Sequence, residues 1–206
     1  MELYNYWRSS SSWRVRWVLD YKKIDYKYIP VNLLKGEHKK DEIIALNPSM
    51  TVPFLKIKKH VLTQSVAIIL YLENEYTQNP ILPKDSFKRA QVMEICEIIN
   101  SSIHPLQNLG LLNKISDQKD QKIKWANEII TNGFKILLKH LPSTKDYCLN
   151  NEFSLADIFL IPQIYNGKRF GIDMEKEFPQ LFRIYSNCLQ LPSAISSKPE
   201  KQIDAF

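Results

Sequence analysis

The sequence predicts an α/β unit followed by an all-α unit. Three observations carry that expectation. Short aromatic and β-branched runs alternate with helical patterns up to about residue 75, a polar proline-containing stretch follows, and beyond it the extended apolar patterns all have helical spacing.

Residues 3–7 are short, aromatic and bounded by a polar stretch, as a buried strand is. A helix is expected to begin among residues 9–12 and to run through Trp13, Val15, Trp17 and Leu19. Residues 26–31 are the second strand candidate and complete a βαβ unit. The polar stretch 35–41 leads into a brief helix that stops near Leu46, before Asn47-Pro48. Residues 52–57 alternate weakly, Lys58-Lys59 makes a polar turn, and residues 60–63 form the return strand of a hairpin. From Ser65, the positions of Ile68, Ile69 and Leu72 have helical spacing to about Glu75, which gives the order βαβ-ββα.

These patterns set a first domain at residues 1–77, a linker at 78–85 and a helical domain at 86–206. In the helical part, residues 87–103 and 121–141 are long enough for adjacent bundle helices, and His104-Pro105 should kink or break the first. Ser154-Leu155-Ala156-Asp157 reads as a capping box opening onto the apolar run Ile158-Phe159-Leu160-Ile161. Residues 192–206, rich in Pro, Ser and Lys, have the composition of a loosely held terminus.

With 44% hydrophobic and 11% aromatic residues, and 5 Gly against 11 Pro in 206, the chain has the make-up of an ordered globular protein with a helical lean. Its formal charge of +6 is spread over single lysines and pairs such as Lys22-Lys23 and Lys39-Lys40. No basic run interleaved with aromatics appears, so nucleic acid is not an expected partner. Met1-Glu2-Leu3-Tyr4 carries no basic segment leading into an apolar one, and no run reaches the roughly 20 apolar residues of a membrane span. The expectation is a soluble, cytoplasmic protein. Cys96, Cys148 and Cys188 are odd in number and far apart, and His38, His60, His104 and His140 lack metal-ligand spacing. Neither a disulfide framework nor a metal site is signalled.

The chemistry is concentrated in a few segments. A helix N-terminus exposes unpaired N–H groups and a partial positive charge, and the hydroxyls of Ser9, Ser10, Ser11 and Ser12 add donors there, so residues 9–12 can hold an anion. They can equally be a polar turn and helix cap, with Arg14 and Arg16 on a solvated face. Val52-Pro53 fits a strand-edge proline, Gln64-Ser65 a plain helix cap, His38 a solvated loop histidine and Arg169 a surface arginine near a helix end.

A resemblance sharpens these alternatives. The run Arg8-Ser9-Ser10-Ser11-Ser12-Trp13-Arg14-Val15-Arg16 closely resembles the Ser-Ser-Cys-x-Trp-Arg-Val-Arg signature of zeta-class glutathione transferases, and it lies between the first strand and the first helix as in that family. The resemblance runs from about residue 3 to 191 and takes in Thr51-Val52-Pro53, Thr63-Gln64-Ser65, Pro105-Leu106-Gln107-Asn108-Leu109 and Asn166-Gly167-Lys168-Arg169-Phe170. It implies a thioredoxin-like first domain that binds glutathione and an all-helical domain that receives an acidic substrate. It further implies that the anion at the serines is the glutathione thiolate, with Ser9 as donor, Ser10 beside it, and Ser11 where the family has cysteine.

By the same resemblance, Val52 and a cis-Pro53 present backbone to the cysteinyl part of glutathione, Gln64 and Ser65 hold the γ-glutamyl group, and His38 contacts the glycyl carboxylate. Gln107 and Arg169, with Arg14 as a second cation, would anchor the substrate. The implied activity is glutathione-dependent cis–trans isomerisation of maleylacetoacetate-type substrates in tyrosine and phenylalanine breakdown, carried out by a homodimer. Two other readings share these residues: a general glutathione transferase or peroxidase acting on halogenated acids or hydroperoxides, and a non-catalytic adaptor of the same fold.

Overall fold

The computed structural model describes residues 1–143, 146–149 and 151–206. The chain forms two compact units, one of residues 1–80 together with 191–206, the other of residues 81–190.

In the first unit, strand β1 (Glu2–Asn5) leads through a turn to helix α1 (Ser10–Tyr21) and back to β2 (Lys27–Pro30). Helix α2 (Asp41–Leu46), the hairpin β3 (Phe54–Ile57) and β4 (His60–Thr63), and helix α3 (Ser65–Glu75) follow. The sheet order is β2-β1-β3-β4, with β2 parallel to β1 and the other pairs antiparallel. Alternation along the strands sorts the two faces. Tyr4 and Phe54 are register partners and their rings stack at 4.4 Å, closing a cluster with Val31 and Ile43 on the α2 side. Leu3 and Leu55 point to the opposite face, fully buried, where α1 and α3 pack together. The Lys58-Lys59 turn takes a positive φ at Lys58 (54°), as tight hairpins require.

Residues 192–206 depart from the sequence expectation. Their composition suits a loosely held terminus, yet helix α10 (Pro192–Ser197) packs against α1 in the first unit. The reason is polar as well as apolar. Trp13 and Trp17, one turn apart on α1, donate their indole N–H groups to the Ser197 and Ser193 hydroxyls at 3.1 Å each, and the Ser196 hydroxyl donates to Asp20 at 2.6 Å. Two buried indoles thus find hydrogen-bond partners in this segment.

The solvated-face reading of Arg14 and Arg16 fails, since both are buried, and Lys22 is buried with them. Arg16 is fully buried, and its guanidinium donates to Asn5 Oδ1 (2.8 Å), Trp7 O (2.9 Å) and Ser197 O (3.1 Å). The Lys22 ammonium pairs with Glu73 at 2.7 Å and donates to the carbonyls of Tyr76, Gln78 and Asn79, gathering the chain just past α3. A buried charge survives only with such full pairing.

The second unit is helical: α4 (Ser86–Glu97), α5 (Leu109–Ile115), α6 (Lys119–Leu137), α7 (Leu155–Arg169), α8 (Met174–Glu177) and α9 (Pro179–Cys188). Twelve of the fifteen α7 residues are buried, and α4 and α9 pack against it, so α7 is the central helix. The first long helix changes character before His104-Pro105. From Ile98 to Ile103 it widens into a π-helix, and a 3₁₀ turn covers His104–Gln107. Gly133 on α6 makes room for the wider turn, since a Cβ there would overlap the Ile103 side chain. Among the described residues, no helix is long and apolar enough to cross a membrane.

Candidate active site

Register alone gathers most of the sequence candidates. Asn5, the last residue of β1, pairs with Pro30 at the end of β2, and Tyr4 pairs with Phe54 at the start of antiparallel β3. Phe54 in turn faces Thr63 at the end of β4. The turn holding the serines, the Val52-Pro53 segment, Gln64-Ser65 and the loop carrying His38 therefore all leave the sheet at the same edge.

Ser9 caps α1. Its backbone is extended (φ −68°, ψ 119°), its Oγ accepts the Ser12 N–H at 3.2 Å, and its carbonyl accepts the Trp13 N–H at 2.9 Å. The Ser9 and Ser11 hydroxyls lie 3.1 Å apart, and the Ser11 hydroxyl donates to Val52 O at 3.2 Å. Ser10, the first helical residue, is buried, while Ser9 and Ser11 are partly open. Arg14 is fully buried on the same helix.

The Val52–Pro53 peptide bond is cis. Asn47 organises the approach to it: its side-chain N–H donates to Thr51 O at 2.8 Å, and its Oδ1 accepts from the Ser49 amide and hydroxyl. The stop signal in the sequence is thus also a loop brace.

Gln64 caps α3 from a positive φ of 70° (ψ 121°) and is exposed, whereas Ser65 at the first helical position is buried. A non-glycine residue in that region costs of order 1–3 kcal/mol and persists only where its surroundings impose it. His38 lies in the 3₁₀ turn Glu37–Lys39. Its Nδ1 is buried with no hydrogen-bond partner among the described residues, and burial, reinforced by Lys39, holds its imidazole below the ordinary range. A neutral imidazole there is free to bond a ligand or water.

Gln107 and Arg169 belong to the second unit. The 3₁₀ turn brings Gln107 onto α7, where its Nε2 donates to Gln163 Oε1 at 3.0 Å in the interior. Arg169 is exposed at the end of α7, bonded to Asn166 Oδ1 at 3.2 Å and lying over the Phe170 ring. Deeper in this unit, Asp157 Oδ2 accepts the Ser154 amide and hydroxyl (2.8 and 3.2 Å) and Oδ1 accepts the Cys148 amide (2.8 Å). The capping-box acid therefore ties the loop before α7 to the helix. Cys96, Cys148 and Cys188 are buried free thiols.

Sequence reasoning missed the structural roles of four residues, three at this edge and one in the second unit. Arg16 and Asp204 bond the turn before Ser9, Asn47 braces the loop before Val52, and Gln163 fixes the Gln107 amide. Only the Asn47-Pro48 pair left a local signal.

Residues 1–74 match the N-terminal domain model of the glutathione S-transferases and residues 95–192 the C-terminal one. The chain is 43% identical to the maleylacetoacetate isomerase of Dictyostelium discoideum, over 98% of this chain and 95% of that one. Its fold is similar to that of a maleyl pyruvate isomerase described as a bacterial zeta-class glutathione S-transferase (TM-score 0.94, 34% identity, 100% of both chains). It is also similar to the maleylacetoacetate isomerase of Anaeromyxobacter dehalogenans 2CP-1 solved with dicarboxyethyl glutathione and citrate in the active site (TM-score 0.88, 34% identity, 100% of this chain and 93% of that one). With both domains matched in order and relatives aligned over almost the entire length, the chain belongs to the glutathione S-transferase family, in its zeta class.

Proposed function

We propose that this protein is a glutathione-dependent cis–trans isomerase of maleylacetoacetate-type dicarboxylic substrates. The observation that carries the reading is the convergence of the capped serine turn, the Val52 carbonyl and the Gln64-Ser65 cap at one sheet edge. The residues present fit glutathione: a helix N-terminus with hydroxyl donors for its sulfur, a backbone segment for its peptide, and an exposed glutamine held at positive φ for its polar end.

Glutathione supplies a thiolate able to add to and leave an activated double bond. The residues of the chain make that chemistry possible. Ser9 donates its hydroxyl proton to the sulfur, and Ser10 and the α1 N-terminus add favourable potential. Lowering a thiol pKa from about 8.5 to about 6.5 raises its ionised fraction at pH 7 from roughly 3% to roughly 75%, and needs about 2.7 kcal/mol of differential interaction. One charge-assisted hydrogen bond together with a helix terminus is of that order. Val52 and Pro53 align the cysteinyl backbone, Gln64 and Ser65 hold the γ-glutamyl group, and His38 serves the glycyl end. Gln107 and Arg169, with the buried charge of Arg14, anchor the substrate carboxylates, consistent with the dicarboxylated glutathione and citrate bound by the Anaeromyxobacter relative.

In this reading residues 1–77 form the glutathione-binding domain and residues 86–206 the acidic-substrate domain, of which 191–206 group with the first unit, within a two-fold homodimer, the commonest closed assembly. The setting is the cytoplasm, where buried thiols stay reduced. Light scattering at monomer mass, or fractionation away from the cytosol, would refute those two points.

The decisive experiment measures purified protein with glutathione against maleylacetoacetate, a chlorinated acid and a hydroperoxide. Isomerisation with the highest kcat/KM supports the proposal. A faster reaction with either of the others assigns the chain to conjugation or peroxide reduction, and failure to bind glutathione in calorimetry assigns it to a non-catalytic role.

A further inference from the structure

The turn between β1 and α1 carries Ser9, and two charged side chains grip it at one residue. Arg16 Nη2 donates to Trp7 O at 2.9 Å, and Arg16 Nη1 lies 3.4 Å from Tyr6 O. On the other side of the same residue, the Trp7 N–H donates to Asp204 Oδ2 at 3.2 Å. A cation on the carbonyl and an anion on the N–H orient the Trp7 backbone more firmly than neutral partners can. The turn then closes with the Ser9 N–H on Tyr6 O at 3.0 Å, which links that backbone to the serine two residues on.

Asp204 is itself held. Its second oxygen accepts the Tyr28 hydroxyl from β2, and the Phe206 ring meets the Trp7 ring edge-on at 5.4 Å. Burial, then the bond to Asp204, push the Tyr28 hydroxyl far above the ordinary phenol range, so it remains a donor. Helix α10 is attached to α1 without this carboxylate, because Ser193, Ser196 and Ser197 bond to Trp17, Asp20 and Trp13. The Asp204 carboxylate instead ties the Trp7 amide of the turn to Tyr28 of β2.

We propose that Asp204 is a positioning residue for thiol activation, fixing through the Trp7 peptide the direction in which Ser9 offers its hydroxyl. The proposal rests on the reading that Ser9 acts on the glutathione sulfur.

The test follows the ultraviolet absorbance of the thiolate in the glutathione complex against pH, for the natural protein, Ser9→Ala, Asp204→Ala, Asp204→Asn and Tyr28→Phe, with thermal denaturation alongside. Asp204→Ala should move the titration upward by about one unit and lower kcat at neutral pH about tenfold, with KM for glutathione within about threefold and the loss recovered at higher pH. Asp204→Asn keeps an acceptor for the Trp7 N–H and should restore most of the effect. Tyr28→Phe, which frees the carboxylate to swing, should lie between. A folded Asp204→Ala protein with the natural titration curve overturns the proposal while leaving Ser9 in its role, provided Ser9→Ala shifts the curve. If Ser9→Ala also leaves the curve unmoved, the functional reading has failed and Asp204 falls with it. Should Asp204→Ala not fold, an unshifted curve for a folded Tyr28→Phe protein overturns the proposal.

Discussion

The Ser11 hydroxyl donates to the Val52 carbonyl oxygen across 3.2 Å, joining the serine turn to the residue before Pro53. A hydroxyl has one proton, so in the 3.1 Å contact between Ser9 and Ser11 it is Ser9 that donates. Ser11 therefore competes with the glutathione sulfur for the Ser9 proton. Ser11→Ala is expected to lower the pKa of bound glutathione by about half a unit, the scale of one neutral hydrogen bond. A rise instead would mean that Ser11 itself donates to the sulfur. Ser11→Cys, which restores the family residue, should make the protein sensitive to iodoacetamide while changing turnover little. The natural protein should resist the reagent, since its three cysteines are buried and burial pushes the Cys148 and Cys188 thiols up. Inactivation of the natural protein that glutathione prevents would place one of those thiols in the site.

Ser9→Ala removes two functions at once. As the α1 cap it accepts the Ser12 N–H, so its loss should cost about 1 kcal/mol of stability in urea denaturation. As donor to the thiolate its loss should lower kcat roughly 10- to 100-fold at neutral pH, with recovery as pH rises. Full activity with an unchanged pH profile would remove Ser9 from the mechanism.

Gln64 and Ser65 separate strain from binding. Gln64→Gly relieves a positive φ and should stabilise the protein by up to about 1 kcal/mol while weakening glutathione binding. Ser65→Ala should leave stability within about 1 kcal/mol and weaken glutathione by roughly 1–3 kcal/mol in calorimetry. Unchanged affinity in both variants excludes this cap from the site.

Asp157 should give the second unit a pH signature. Burial raises its carboxyl from 3.8 to about 6, although the Cys148 and Ser154 amides pull the other way. The folded protein then holds the proton more tightly than the unfolded chain. The resulting stability is fully present below about pH 4 and is lost as pH rises through about 6, by about 3 kcal/mol. Asp157→Asn cannot titrate, so the difference in unfolding free energy between the two proteins should carry that slope. A difference that runs the other way would show the amide bonds outweighing burial.

Contiguous chemistry was legible in the sequence. The serine run with its Trp-Arg-Val-Arg continuation, Val52-Pro53 and Gln64-Ser65 each sit within a few residues, and the βαβ-ββα succession of elements follows from short-range patterns, while the sheet order that brings them to one edge came from the structure. What stayed hidden depends on distant partners. Arg16 could be read as lying on a solvated face because most of its acceptors are backbone carbonyls, which carry no sequence signature. Residues 192–206 read as loose because the indoles that hold them lie about 180 positions earlier. The π-helix at Ile98–Ile103 escaped because its apolar residues still suit a helix, and the proline that drew notice comes only after it.

The division of the chain also bears on how the protein is made. Residues 81–190 form one uninterrupted stretch, so every contact within the helical unit is on hand before residue 191 has been synthesised. The first unit is different. Its strands leave the ribosome early, yet Trp13, Trp17, Arg16 and the Trp7 amide must wait for Ser193, Ser197 and Asp204, the last partners to emerge. The half of the molecule translated first is the half completed last.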